Sequence, residues 1–470
     1  MAENRSTGEP EGMRLTRLLA EEIRKRRKTA GLSHPQLAER IGYTRQYVSL
    51  AERPKKGLAS AALVQALDKA LGAEGALVAL RDQADAARKA CRPDALPSKV
   101  VKDVNPTGRE QRQSPDPGEV GNSKRRDLIT SAAAITFGER LDEPVARILA
   151  AADEPQVPTR VRAGDVRHLR SAWETVRADI AALGGGAVRH QALAALRWAT
   201  TMLESSCTPA VHQELAVMTA KLADSAAWAS FDAGRHEPAR QLSLLGLHAA
   251  RESGDLGMRA CVAGGLARQE IYLGNWAGGL ELIQLAFTAG EVLTPNAIAD
   301  LHTVNALAYA RKQDTAQCRR YIGTATDTHR PDSISNDPPW LSYLTSVKLE
   351  KDLAYARYTL LLAGAVGDCT AHRQALIESF STAFRQSPTD GVLNKAIIAA
   401  RLTTLLCLEG EQHAAYLMAE DAIALAGQVR SARLADDLRV LLQVLPTGDG
   451  ADEYTRDLRQ RLSTELAEMT

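Results

Sequence analysis

The chain has 470 residues, 45% of them hydrophobic, which is too long for a single core and suits roughly two to four domains or an extended repeat array. Its 58 basic side chains nearly balance its 57 acidic ones, which excludes a protein that is basic throughout. Residues 1–91 nevertheless hold 17 Lys and Arg against 11 Asp and Glu, a net charge of +6, and the remainder carries 41 against 46, a net of −5. Only the N-terminal part has the charge expected of a region that binds a polyanion.

Several protein classes lack support in the sequence. The six cysteines lie far apart, without Cys-x-x-Cys spacing or paired histidines, so we expect reduced, buried thiols and no metal site. There is no apolar run of about 18 residues and no signal-peptide core, so we expect a cytoplasmic protein that has no membrane partner. The Gly-Lys of a P-loop, Gly-x-Ser-x-Gly and His-Glu-x-x-His are missing, so we expect neither an enzyme nor a cofactor.

The first predicted helix runs over residues 13–31, where Leu15, Leu18, Leu19 and Ile23 recur at helical spacing. A second, shorter helix is predicted to begin at Ser33, a good N-cap, and to end at Gly42. Its residues Leu37, Ala38 and Ile41 mark one apolar face.

A third helix follows at once, because Thr44 can cap it while Val48 and Ala51 point inward. Two short helices joined by a glycine-containing turn form a helix-turn-helix, whose second helix fits the major groove of DNA. The outward face of this helix carries the three residues predicted to contact bases: Arg45, Gln46 and Ser49. Alternatively, these side chains form only a solvated helix face.

Phosphate contacts are predicted around this motif. After Glu52, the sequence Arg-Pro-Lys-Lys-Gly forms a turn whose two lysines would face a phosphate strand. The predicted phosphate-contacting residues are Ser33, His34, Thr44, Lys55 and Lys56.

The arrangement resembles the Xre/Cro-like family of regulators, which includes lambdoid phage repressors, over residues 18–71. Ala38 takes the small-residue position where the two helices cross, Gly42 the turn position, and Ser49 and Glu52 the Ser-x-x-Glu ending of the recognition helix. Leu50 and Ala51 depart from the usual pattern, so the base preference cannot be transferred from the family. The resemblance implies double-stranded DNA with a pseudo-palindromic operator as the partner.

The same resemblance implies a structural ion pair. In the family, the position of Arg27 pairs with the carboxylate that ends the recognition helix, here Glu52. The alternative is a solvated Arg27, like most of the basic run of residues 24–28.

Two further amphipathic helices are predicted to complete the N-terminal domain. Leu58, Leu63, Leu67 and Leu71 lie on one face of the first, and residues 74–89 form the second. The helix-turn-helix domain is therefore assigned to residues 13–91. Residues 92–126 are polar and rich in proline, and we predict a flexible linker.

From residue 127 to residue 470 the chain is rich in Ala and Leu and shows no strand pattern. Helix pairs recur, with turns at Gly234, Gly274 and Asp314 spaced 40 residues apart and a later turn at Gly410. A loop at Asp337-Pro-Pro-Trp precedes a long helix predicted over residues 341–362. Such recurrence is typical of an α-solenoid, so the predicted fold class is all-α.

The pairs resemble tetratricopeptide repeats lengthened beyond about 34 residues. Many bacterial regulators join an Xre-type domain to such an array, and the resemblance implies that the array binds a peptide or small-molecule signal, or a partner, and holds a homodimer together. The first helix of each pair would line the binding groove. The predicted groove residues are Arg268, Asn305 and Arg311. We expect the tyrosines and tryptophans there to pack between helices.

We therefore expect a sequence-specific DNA-binding transcriptional regulator with a C-terminal sensor and dimerisation array. The alternative is a non-enzymatic protein-interaction scaffold in which DNA binding is secondary.

Overall fold

A computed structural model describes residues 11–41, 45–53, 58–59, 61–90, 158–366, 369–447 and 453–469. Every regular element in these ranges is helical, apart from an isolated β-bridge between Arg160 and Ser206, so the all-α prediction is confirmed for them. None of the described helices is both long and apolar enough to cross a membrane. The predicted linker at 92–126 and residues 127–157 lie outside the described residues.

The described residues of the N-terminal domain form five helices: α1 (Glu11–Thr29), α2 (His34–Ile41), α3 (Arg45–Ala51), α4 (Ala61–Ala70) and α5 (Ala76–Ala90). α5 packs along α1, and α2 packs on both α3 and α4. Leu19, Ile23, Leu37 and Val48 are buried in the small core between them. Leu18 was assigned to the same apolar face but is 38% exposed.

Local capping explains where α2 begins. The hydroxyl of Ser33 donates to Oε1 of Gln36 at 2.8 Å, and the same oxygen accepts from the Ser33 backbone N–H at 2.9 Å. The Ser33 hydroxyl in turn lies 3.4 Å from the Gln36 backbone N–H. This reciprocal arrangement is a capping box, and it fixes the entry into the helix-turn-helix.

The helical array contains fourteen α-helices over the described part of residues 158–469. In chain order they are α6 (Ala163–Leu183), α7 (Gly185–Leu203), α8 (Pro209–Asp232), α9 (His236–Glu252), α10 (Leu256–Tyr272), α11 (Trp276–Phe287), α12 (Pro295–Arg311), α13 (Thr315–Thr328), α14 (Ser346–Leu362), α15 (Cys369–Gln386), α16 (Val392–Glu409), α17 (Gln412–Ala426), α18 (Ala432–Val444) and α19 (Glu453–Met469). Most consecutive helices, though not α17 and α18, pack on each other as hairpins. The tetratricopeptide-like solenoid stays a prediction.

The turns inside the predicted pairs share a backbone conformation. Gly234, Gly274 and Gly410 have φ values of 70°, 90° and 81°, the left-handed region that glycine adopts most readily. In the third pair the left-handed residue is Gln313, with φ 63°, and not Asp314. Asp314 instead caps α13, since its side chain accepts from the Gln317 backbone N–H at 3.1 Å.

The predicted long helix from residue 341 is shorter than expected. Leu341 ends a 3-10 turn (Pro339–Leu341), and α14 begins only at Ser346. The reason is Thr345, which adopts an extended backbone and caps α14 by accepting from the Lys348 N–H at 3.1 Å.

The end of the array contacts its beginning. The carbonyl of Leu183 accepts from the Arg430 N–H at 2.9 Å, and the Gly186 N–H donates to the Arg430 carbonyl at 3.0 Å. α6 also packs on α16, and α8 on α18. The array therefore closes around an interior space, which determines where a ligand could bind.

Candidate nucleic-acid interface and interior cavity

The recognition helix α3 presents a mixed set of side chains. Arg45 is exposed and Ser49 is half-buried, whereas Val48 and Ala51 are buried against α2. Gln46 lies in the helix, but its side chain is outside what the structure describes. Arg45 is thus free to reach a base edge at the start of α3, where a helix-turn-helix approaches the major groove.

Arg27 and Glu52 form a two-pronged ion pair beside α3. Nη2 of Arg27 donates to Oε2 of Glu52 at 2.9 Å, and Nε donates to Oε1. Nη1 of Arg27 also donates to the Leu32 carbonyl at 2.8 Å, so the guanidinium joins α1, the turn before α2 and the end of α3. The two side chains are only 10% and 5% exposed. The pair therefore fixes the recognition helix to the domain core.

His34 completes this cluster, with Nε2 3.0 Å from Oε2 of Glu52. Burial alone would raise the pKa of Glu52, but hydrogen bonds from Arg27 and His34 lower it overall. The structure places this ring nitrogen of His34 on a carboxylate, and the predicted contact of His34 with a DNA phosphate stays a prediction. Ser33 is exposed but its hydroxyl serves the capping box. Thr44, Lys55 and Lys56 lie outside the described residues.

A cavity of about 330 Å³ occupies the interior of the closed array, within the size range of about 300 to 1,000 Å³ that is usual for small-molecule sites. Its helical walls come from alternate helices α6, α8, α10, α12, α14, α16 and α18, together with the 3-10 turn that holds Trp340. The first helix of each pair therefore faces this space, which we call the interior cavity.

Aromatic rings form much of the cavity wall. Trp173, Trp228 and Trp340 line it from α6, α8 and the 3-10 turn, although the whole chain contains only five tryptophans. Tyr272, Tyr343 and Tyr355 line it as well. Flat rings on several sides of one cavity provide stacking surfaces for a planar ligand.

Among the described residues, seven basic and two acidic side chains line the same cavity. Three of the arginines donate to carboxylates that do not themselves line the cavity. These pairs are Arg268 with Asp300 at 3.0 Å, Arg401 with Asp437 at 3.0 Å and Arg433 with Asp232 at 2.7 Å. The remaining charged lining residues are Arg177, Lys221, Lys348, Lys351, Asp224 and Asp352. Once those three arginines are set aside, four cations and two carboxylates remain in the lining.

The cations share these carboxylates unequally. Asp352 contacts Lys348 directly and lies 3.8 Å from both Lys351 and Arg268, so one carboxylate serves three cations. Although burial alone would raise the pKa of Asp352, Lys348, Lys351 and Arg268 lower it. Lys351 also donates to Oδ1 of Asn394 at 3.0 Å.

Lys221 is the least compensated of these cations. It is 6% exposed, and its ammonium lies 4.7 Å from the centre of the Trp173 ring. In the part of the chain that the structure describes, no carboxylate lies within salt-bridge distance of it. Burial lowers its pKa, and the charges of Arg170 and Arg177 act in the same direction. Arg177 lies over the same ring at 4.9 Å and donates to the Ser342 hydroxyl at 3.2 Å. Two cations therefore lie over the Trp173 ring.

Two cavity groups titrate near neutrality. Burial raises the pKa of Asp224 to about 7, although Arg177 and Arg268 oppose the shift. Burial, with the charge of Lys348 second, lowers the pKa of Lys351 to about 7 against the effect of Asp352. Removal of a charge from water is the main cause of both shifts.

The three predicted groove residues lie in different places. Arg268 lines the interior cavity. Arg311 lines a neighbouring cavity of about 120 Å³, where Nη2 lies 3.3 Å from the Tyr355 hydroxyl. Asn305 is 6% exposed within α12 and lines neither cavity.

Sequence reasoning missed the tryptophans and lysines of the cavity, because the lining residues span 260 positions, from Trp173 to Arg433, and meet only when the array closes. A local signal for the closure was present in Gly184-Gly185-Gly186. A Cβ on Gly184 would lie 2.5 Å from the Arg430 carbonyl oxygen, and one on Gly185 would lie 2.7 Å from the Ala229 Cα. The run of glycines marks a close approach of backbones.

Comparison with known proteins bears on the N-terminal domain alone. Residues 18–80 match the family model described as a helix-turn-helix domain. The match covers α2, α3 and α4 with parts of α1 and α5, so this part of the chain is a helix-turn-helix domain. No curated protein and no solved structure gave a match.

Proposed function

We propose that the protein is a sequence-specific DNA-binding transcriptional regulator of Xre type, in which the helical array senses a signal and holds two chains together. The observation that carries the DNA-binding part is the helix-turn-helix domain at residues 18–80, with Arg45 exposed at the start of its recognition helix. The net charge of +6 in residues 1–91 favours the same partner.

The sensor part is supported by the interior cavity. Its lining of aromatic rings and partly compensated cations suits a ligand site, because buried charges without full counter-charges cost free energy that a bound ligand can offset. We propose tetratricopeptide-like repeats for the array, a cytoplasmic location, and no catalytic activity. Homodimerisation through the array is part of the same proposal, since one small domain contacts only half of a palindromic operator.

Selection from random double-stranded DNA with the full chain tests this proposal. The intact protein should enrich one pseudo-palindromic sequence, and changing Arg45 and Gln46 together to alanine should abolish the enrichment. Arg14→Ala is the matched control, because it removes an exposed charge from α1 without touching α3. Absence of any enriched sequence would favour the alternative, a protein-interaction scaffold.

A further inference from the structure

We propose that the interior cavity binds a small organic anion that carries a planar ring, with the ring against the tryptophans and the negative charge among Arg177, Lys221 and Lys351. This inference rests on the proposed function, because it specifies the chemical class of the signal that the array senses.

The charges of the cavity favour an anion. After Arg268, Arg401 and Arg433 are assigned to their own carboxylates, two aspartates remain for four cations. Lys221 is nine-tenths buried, lines the cavity and has no carboxylate partner among the described residues. Burying such a charge is costly unless a counter-charge accompanies it. A bound anion would provide that counter-charge.

The rings favour a planar body next to the charge. Lys221 and Arg177 lie over Trp173, so an anion held by them is within a few ångströms of an indole wall. Trp228 and Trp340 line the same space from other elements. Stacking on an aromatic ring and a charge-assisted hydrogen bond can then act on one molecule.

The size and shape of the cavity favour a small molecule over an extended peptide. Its volume of about 330 Å³ is near the lower end of the range for small-molecule sites. The contacts of Arg430 with Leu183 and Gly186 close the array between α7 and α18. A cavity of this volume has room for a small molecule and not for an extended peptide.

Two classes of ligand combine a planar ring with a negative charge: aromatic carboxylates and nucleoside phosphates. Calorimetric titration of the full chain distinguishes them. The probes are indole-3-acetate with its neutral amide, and adenosine monophosphate with adenosine. At least one anion should bind about tenfold to a hundredfold more tightly than its neutral partner, the usual effect of a hydrogen bond to a charged group. The tighter anion identifies the source. If neither anion binds better than its neutral partner, the inference is wrong.

Lys221→Met provides the decisive variant. It keeps an unbranched side chain against Trp173 and removes the buried charge, so the free protein should melt at the same or a higher temperature while anion affinity falls about tenfold or more. These opposite effects cannot arise from unfolding. Arg385→Gln, which removes an exposed charge from α15, should change neither property. Unchanged anion affinity in Lys221→Met would overturn the inference.

The outcome is separable from that of the proposed function. Anion titration requires no DNA, so a protein that binds the anion but selects no DNA sequence would refute the regulator proposal alone. A protein that selects DNA but does not distinguish the anions from their neutral partners would refute the cavity inference alone.

Discussion

Asp232, the last residue of α8, accepts a hydrogen bond from Nε of Arg433 at 2.7 Å, across 201 positions of the chain. The same carboxylate accepts from the Ser431 hydroxyl at 2.7 Å and from the Gly185 backbone N–H at 2.9 Å. Its side chain is fully buried. One aspartate thus joins the start of α7 and the start of α18 to the end of α8, and we call these contacts the Asp232 clasp.

Breaking the clasp should open the array. Asp232→Ala leaves the Arg433 guanidinium without its carboxylate and the Gly185 N–H without an acceptor, which we expect to cost about 3 to 5 kcal/mol. Thermal melting followed by circular dichroism measures the loss. Asp390→Asn on an exposed loop is the control and should leave the melting temperature unchanged. An equally stable Asp232→Ala protein would show that the clasp contributes nothing to closure.

The N-terminal domain could be largely predicted from the sequence, because its signals are local. Capping at Ser33, the apolar spacing of Leu37 and Ala38, and the position of Glu52 all lie within about 20 residues of the helices that they define. Even there, spacing alone placed Leu18 in the core, and nothing local indicated that His34 contacts Glu52.

The site in the array could not be predicted in the same way. Helix pairs are visible as a period in the sequence, but the Asp232 clasp joins residues about 200 positions apart, and no period indicates whether an array stays open or closes. An open groove was therefore expected, with Asn305 in it. Closure turns the inner faces of alternate helices into one cavity and leaves Asn305 packed within α12.

Loss of Glu52 should destabilise the N-terminal domain. Glu52→Ala leaves the nearly buried Arg27 guanidinium without a carboxylate, at an expected cost of about 3 to 5 kcal/mol, which is comparable to the whole stability of so small a domain. Urea denaturation of a fragment spanning residues 1–91 measures the change. Glu39→Ala, on the exposed face of α2, is the control.

The same pair predicts an acid sensitivity. Because the pKa of Glu52 in the folded domain is below its ordinary value of 4.5, its contribution is present above that value and is lost as the pH falls through the folded value. The Glu52→Ala fragment should therefore lose less stability than the wild type between pH 6 and pH 3. Parallel losses in both proteins would contradict a buried pair.

Arg45 and Lys55 should affect DNA binding in different ways. If Arg45 contacts a base edge, Arg45→Ala should cost roughly 1 to 3 kcal/mol on the enriched operator and leave binding to random DNA almost unchanged. Lys55 lies outside the described residues, and its sequence position predicts a phosphate contact. Lys55→Ala should therefore weaken binding to all sequences and reduce the salt slope by about one. Equal losses on operator and random DNA for Arg45→Ala would contradict base contact.

Anion binding in the cavity should weaken as the pH rises from 6 to 8. Lys351, with a pKa of about 7, faces Lys348 and Asp352 on its own helix, Asn394 and Arg401 on α16, and Arg433 on α18. A bound anion favours the protonated form of Lys351, so binding takes up a proton and is tightest below pH 7.

Asp224 contributes to the pH dependence with the same sign. It faces Arg177 on α6, Cys261 and Arg268 on α10, and Lys221 on its own helix. Above its pKa of about 7 it becomes a carboxylate that repels an anion. Each group should weaken indole-3-acetate binding by up to about tenfold between pH 6 and pH 8. Asp224→Asn imitates the protonated form of the carboxyl group. This variant should therefore lose the part of the pH dependence that Asp224 contributes, and its anion binding at pH 8 should be tighter than that of the wild type.

Fragments can test whether the N-terminal domain binds DNA and the array holds the dimer. A domain of about 60 residues offers a small DNA interface, and regulators of this kind gain affinity by placing two domains on half-sites roughly one helical turn apart. The N-terminal domain is small and basic, so we expect the array to hold the dimer and the predicted linker at 92–126 to act as a tether. A flexible tether of that length has a root-mean-square reach of about 30 Å, which gives the second domain an effective concentration in the millimolar range.

A fragment ending at residue 91 should therefore sediment as a monomer and bind the operator about 10² times more weakly than the intact chain. A fragment starting at residue 127 should sediment as a dimer and bind no DNA. Analytical ultracentrifugation of both fragments, with operator titration of the first, measures these properties. A monomeric array would place the dimer contact elsewhere, and an N-terminal fragment that binds as tightly as the whole protein would show that the tether contributes nothing to affinity.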